Sequence, residues 1–258
     1  MSFTESGEHK ELRATLRELE DKFRPSKADQ RERTDQFDSS CLQKEMFFTA
    51  CPASLLLNPD VEYDRKKGST YPEFKSTDPI HRRPIDCANN LIAYLSSYIT
   101  ANDIGSETKF SATSWSSISL SEGPFRNLDE YEHPEFGVTS AIGVRNFSHP
   151  HVKAMIYNGL EGRDGQLLRG EITLALRIIR AQARWRRLFE HMTVPVLLFS
   201  FMGPQHARIV EAYFDGEWLV MRPTRLFDLR DKNETLIKCF GQWYFGEPIG
   251  ETREPLQS

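Results

Sequence analysis

The chain has no basic excess, few cysteines and no long apolar run, and each shortage removes a class of function. Its 33 Lys and Arg against 37 Asp and Glu leave a formal net charge of −4 and a pI near 6.0. That is the wrong sign for a general nucleic-acid coat, although it leaves local basic patches open. No stretch approaches the roughly eighteen apolar residues that cross a bilayer, and the opening MSFTESGEHKELR lacks the apolar core of a signal peptide. The expectation is a cytoplasmic protein, with a nuclear setting also open and no membrane partner. Cys41, Cys51, Cys87 and Cys239 show none of the paired close spacing of zinc sites and read as free thiols in a reducing compartment. There is no GxSxG elbow and no GxGxxG after a strand, and the glycines from Gly162 to Gly170 are followed by no GK[ST]. Serine-hydrolase, dinucleotide-fold and P-loop readings therefore have no support. No cofactor and no resident metal are expected.

What is there is concentrated between Gly170 and Asp228. Leu174, Ile178, Ala181, Trp185, Leu188 and Met192 recur every three or four residues, so the spacing predicts one long amphipathic helix from Glu171 to Met192. Arg177, Arg180, Arg184, Arg187 and His191 recur at the same intervals on another side, a basic stripe. The run VPVLLFSFM, Val194 to Met202, reads as a buried strand. Gly203-Pro204 is a turn, a second strand follows from His206, and Asp215-Gly216 is a hairpin signal returning through Glu217 to Met221. The fold class expected is α+β: an antiparallel meander packed against a long amphipathic helix, with additional helices.

Along the rest of the chain, Leu12, Leu16, Leu19 and Phe23 mark a charged N-terminal helix that either docks on the domain or pairs with another chain. Residues 1–41 are read as that helix and a polar linker, 42–250 as a single α+β domain, and 251–258 as a loose tail. Asp86 to Thr100 reads as a helix, with Tyr94 and Tyr98 as packing residues. Trp115 to Leu120 suggests a short strand, and Asn233 is a cap for a last, aromatic helix. The loop holding Asp129, Glu130, Glu132 and Glu135 is a natural partner for the arginine stripe.

Three patterns carry chemistry by their spelling. Pro59-Asp60 followed by Glu73-Phe74-Lys75 has the order of the PD-(D/E)xK nuclease signature. There Asp60 and Glu73 would hold magnesium and Lys75 would activate water, provided the acids converge from adjacent strands. His149-Pro150-His151 is either a metal-binding pair awaiting a third ligand or a turn set by Pro150. Finally, His206 and Arg208 follow the Gly203-Pro204 turn, where rigid strands present functional groups. With Glu211 and the helix arginines they would form an anion-binding corner, or Arg208 and Glu211 would satisfy one another on an exposed sheet face.

The run PVLLFSFMGPQHARIVEAYFDGEWLVMRPTRLFDL, with the helix ending in WYFGEP, resembles the C-terminal half of a group of uncharacterised proteins from filamentous ascomycete fungi. The resemblance covers the last third of the chain, implies a fungal origin and an intracellular setting, and carries no catalytic residues with it. The function expected is a non-catalytic interaction module in which a protein partner or small anionic ligand meets Arg177, Arg180, Arg184, Arg187, His206 and Arg208. The alternative is a divergent magnesium-dependent nuclease using Asp60, Glu73 and Lys75. Oligomeric state is left open.

Overall fold

The computed structural model describes residues 4–23, 46–67, 69–105, 109–126, 128, 131–132 and 135–254. The linker of residues 26–40 and the acids Asp129 and Glu130 lie outside them. The helices are α1 (Gly7–Phe23), α2 (Val61–Lys67), α3 (Pro84–Gly105), α4 (Arg169–Gln182) and α5 (Glu234–Phe245). The strands are β1 (Trp115–Ser117), β2 (Tyr131–Glu132), β3 (Glu135–Val144), β4 (Val152–Glu161), β5 (Val196–Gly203), β6 (His206–Phe214), β7 (Leu219–Pro223) and β8 (Phe227–Asp228).

The eight strands among the described residues form one sheet in the order β1-β3-β4-β5-β6-β7, with β2 on β3 and β8 on β6. Every pairing is antiparallel except β4 with β5, where Val152 faces Val196 and Tyr157 faces Phe201 in parallel register. A parallel pair needs a crossover, and α4 supplies it. The expected meander is β5-β6-β7, and the turn between β5 and β6 contains a cis Gly203-Pro204 bond.

Period-two alternation distributes the sheet's side chains to two cores. Val196 and Leu198 of β5 join Val210 and Ala212 of β6 against Leu174, Ile178 and Ala181 of α4. Leu197, Phe199 and Phe201 point the other way, into Leu91, Leu95 and Tyr98 of α3 and Ile237 and Phe240 of α5. Because β5 is covered on both faces, its sequence is continuously apolar rather than alternating. The N-terminal helix takes the docking alternative: α1 lies on α4, and Leu12 and Leu16 belong to the same core as Leu174.

The long helix expected to reach Met192 stops at Gln182. Trp185 is extended (φ −77, ψ 119), and a single tight turn, Arg186–Leu188, follows. The repeat of Trp185 and Leu188 three residues apart is shared by a helix and by a three-residue turn, so spacing alone does not tell them apart. At the other end, the side chain of Glu171 accepts the N–H of Leu168 at 2.7 Å. Gly170 allows α4 to start directly against the sheet, because a Cβ there would collide with Asn158 and Phe136. Asn233 caps α5 by accepting the Leu236 N–H at 3.0 Å. The end of the chain is anchored at Thr252, whose carbonyl accepts from Met192 N at 2.8 Å and Thr193 N at 3.0 Å. No helix among the described residues is long and apolar enough to cross a membrane.

Candidate functional site

The arginines expected to form one stripe divide into two groups, because the helix ends between them. Arg177 and Arg180 are half-buried on α4 and both meet Glu20 of α1: Arg177 Nε lies 3.1 Å from Glu20 Oε1, and Arg180 donates to Oε2. Glu20 is itself buried. Among the described residues the acid facing these arginines comes from the N-terminal helix; of the acids in the 129–135 segment, Glu135 pairs with Arg83 at 2.7 Å, and Asp129 and Glu130 lie outside the described residues. Arg184 and Arg187 lie past the helix, exposed. The Arg187 guanidinium sits 5.5 Å from the centre of the Phe147 ring, and Trp185 packs on the same ring at 5.1 Å.

Arg208 is far from an exposed corner. It is 1% exposed on the α4 side of β6 and grips Glu171, 0% exposed, through two hydrogen bonds: Nε to Oε1 at 2.7 Å and Nη2 to Oε2. Ser200 stands opposite Arg208 in the β5–β6 register and accepts from Asn158 Nδ2 at 3.1 Å, both buried. The result is a closed polar cluster at the point where β4 ends and α4 begins. Glu211 does not satisfy Arg208, because an odd offset along a strand places the two on opposite faces. On its own face Glu211 pairs with Arg222 and accepts the Phe47 N–H at 3.0 Å, tying the segment after the linker to the sheet. Burial pushes its carboxyl pKa up. His206 is separate again, with Nε2 3.8 Å from Asp228 Oδ1. Hydrogen bonds from the exposed Arg230 hold the Asp228 carboxyl down at about 2. The six residues expected to make one anion site thus occupy four environments.

The nuclease pattern does not lie on strands. The Asp60 carboxylate accepts the Tyr63 N–H at 2.7 Å and caps α2. Glu73 and Lys75 lie in a segment without strand pairing, held by Phe74 N to Arg230 O at 2.9 Å and by Lys75 N to His81 Nδ1 at 3.1 Å. The adjacent strands that would make two carboxylates converge are not formed around these residues. Of the histidine pair, His149 is exposed beside Ser148. His151 is buried between Phe47 and Phe48 and bonds Ile249 O through Nε2 at 2.9 Å. Burial lowers its pKa to about 3. The two rings stay in contact, edge to face with centres 5.9 Å apart, the first exposed and the second buried. Among the described residues no group of three or more His, Cys, Asp or Glu is placed to hold a metal ion.

Lys153 of β4 is a feature the pattern reading passed over. It is 1% exposed, and its ammonium donates to three carbonyls at the C-terminal end of α5: Trp243 at 2.8 Å, Tyr244 at 3.0 Å and Gly246 at 2.6 Å. The Trp115 ring lies 4.1 Å from the nitrogen. Burial drives its pKa well down, while three acceptors, an aromatic face and the negative end of a helix all favour the cation. Every donor is used, so the lysine clamps α5 to the sheet. Its signal was a lone charge inside the apolar run VKAMIY; that of Glu171 was an acid in the first helical turn. Nothing local marked Glu20.

The geometry defines an α+β protein with two closed ionic cores, one helix-docked arginine pair and one exposed arginine-aromatic turn. No family model matches the chain, and no match was found among curated proteins or solved structures.

Proposed function

We propose that this chain is a non-catalytic interaction module of the cytoplasm, within the fungal group its last third resembles, whose arginine-bearing α4 face receives an acidic amphipathic helix of a protein partner. The observation that carries the reading is the docking of α1. One buried carboxylate, Glu20, bridges Arg177 and Arg180, while Leu12 and Leu16 enter the core beside α4. Apolar residues four apart followed by an acid four further on form a helix face complementary to that groove. An α1-like helix on another protein would meet the same contacts.

The test uses a labelled peptide of residues 4–23 and the full chain. A Leu16→Ala/Glu20→Lys variant, with its own α1 unseated, should bind the peptide, and the wild-type chain, already occupied, should bind it far less. A chain with Arg177→Glu and Arg180→Glu should prefer a peptide carrying Glu20→Arg. A variant that keeps native near-ultraviolet dichroism yet binds no peptide would sink the proposal.

A further inference from the structure

A second surface stands apart from the α4 groove. Immediately after α4 the chain turns out of the helix at Trp185, and Arg184, Arg186 and Arg187 flank that residue, all three exposed. No carboxylate among the described residues forms an ion pair with any of them. The acid nearest along the chain is Glu190, taken up by Arg253 at 3.3 Å, and Glu122 precedes the Gly123 that packs against the Trp185 ring.

Phe147 meets Trp185 from the turn between β3 and β4. That turn holds two successive non-glycine residues in the left-handed region, Asn146 at φ 59 and Phe147 at φ 55. Such conformations are costly for residues with a Cβ, persist only where the surroundings hold them, and gather at functional sites. Here the consequence is that the Phe147 ring stands half-exposed under the Arg187 guanidinium, 5.5 Å away, and against Trp185. The indole N–H of Trp185 is shielded and finds no acceptor among the described residues.

We propose that this Phe147–Trp185 platform, with Arg184, Arg186 and Arg187, binds single-stranded nucleic acid. Aromatic faces stack bases of any sequence, arginine forks pair with phosphate oxygens, and a stacked guanidinium does both. A duplex hides the base faces the rings would take. An acidic peptide needs only guanidinium groups, and the chain meets that need elsewhere with Arg177 and Arg180 against Glu20, without an aromatic ring. The net charge of −4 does not oppose a local site, because beyond about 8–10 Å exposed charges are screened at physiological salt.

The experiment is fluorescence anisotropy of a labelled oligouridylate with the full chain at low salt. Wild type should bind with a log–log salt slope of about −2, the value for roughly three phosphates on a single strand. Arg184→Gln/Arg186→Gln/Arg187→Gln should weaken binding by more than tenfold and bring the slope toward zero. Phe147→Leu should weaken it about tenfold through lost stacking, with the salt slope kept. Melting temperature and near-ultraviolet dichroism identify any variant that has lost its fold, and Arg187→Lys, which keeps charge but not the planar fork, is the backup. No binding by wild type overturns the proposal. So does displacement by polyglutamate or a phosphoserine peptide as readily as by unlabelled RNA, together with an unchanged Phe147→Leu. In the Leu16→Ala/Glu20→Lys background, binding of the residue 4–23 peptide to the α4 groove should be unaffected by the arginine triple substitution, so the two readings fail separately.

Discussion

Removing Arg208 tests the polar centre of the molecule most directly. Arg208→Met keeps much of the side-chain volume and deletes both hydrogen bonds to Glu171, leaving a carboxylate at 0% exposure with the Leu168 N–H as its remaining partner. Breaking one half of a buried ion pair costs about 3–5 kcal/mol, because the surviving charge keeps its desolvation penalty and loses its compensation. In a chain of 258 residues, at roughly 2–4 °C per kcal/mol, the melting temperature should fall by about 10 °C. Glu171→Leu alone should cost a similar amount by stranding the guanidinium. The double variant Glu171→Leu/Arg208→Met removes both charges and should recover most of the loss, since apolar replacements of a buried pair are often neutral or stabilising. Urea denaturation of the four proteins, with equal slopes confirming a common transition, closes the double-mutant cycle. A coupling energy below about 1 kcal/mol, or a double variant as unstable as the sum of the singles, would refute the reasoning.

Other outcomes follow from the remaining buried titratable groups and from Glu73. His151 and His191 have folded pKa values depressed by burial to about 3 and about 4, from an ordinary 6.5. The unfolded chain therefore takes up protons first, so their contribution to stability is intact above pH 6.5 and is lost as pH falls toward those values, at up to about 1.4 kcal/mol per pH unit per group. His151→Leu should flatten the fall of the urea midpoint between pH 7 and 4, and an unchanged profile counts against the assignment. Lys153→Met should destabilise by about 2–3 kcal/mol by leaving the carbonyls of Trp243, Tyr244 and Gly246 without their donor, with a change in tryptophan fluorescence because Trp115 faces the ammonium. Glu73→Ala should leave any magnesium-dependent cleavage by the purified protein at its wild-type level; selective loss in that variant would restore the nuclease reading.

How much of this was legible depended on range. The strands β5 and β6, the Asp215-Gly216 hairpin and the cap at Asn233 rest on neighbours a few residues apart, and periodicity and turn chemistry identified them. Asp215 accepts from Glu217 N at 2.9 Å and Trp218 N at 2.7 Å, an entirely local arrangement. The stop of α4 at Gln182 was not legible from spacing, because Trp185 and Leu188 keep their three-residue interval in the tight turn that follows, where Trp185 packs on Phe147 of another hairpin. Nor was the parallel junction of β4 with β5, in which Val152 finds Val196 across an intervening helix. The arginines show the same division: their spacing was plain, but whether each was core, clamp or open surface was not.

By itself the sequence determined an α+β composition, the meander and its turns, the amphipathic helices and the absence of a bilayer-length helix, since these follow from local pattern and from the counts of apolar and charged residues. Only the tertiary structure decided that Arg208 is sealed against Glu171, that Glu20 occupies Arg177 and Arg180, and that Arg184, Arg186 and Arg187 stand open. A charge carries no record of its partner in its own neighbourhood along the chain; the partner is chosen by which strand faces and helix ends packing brings together.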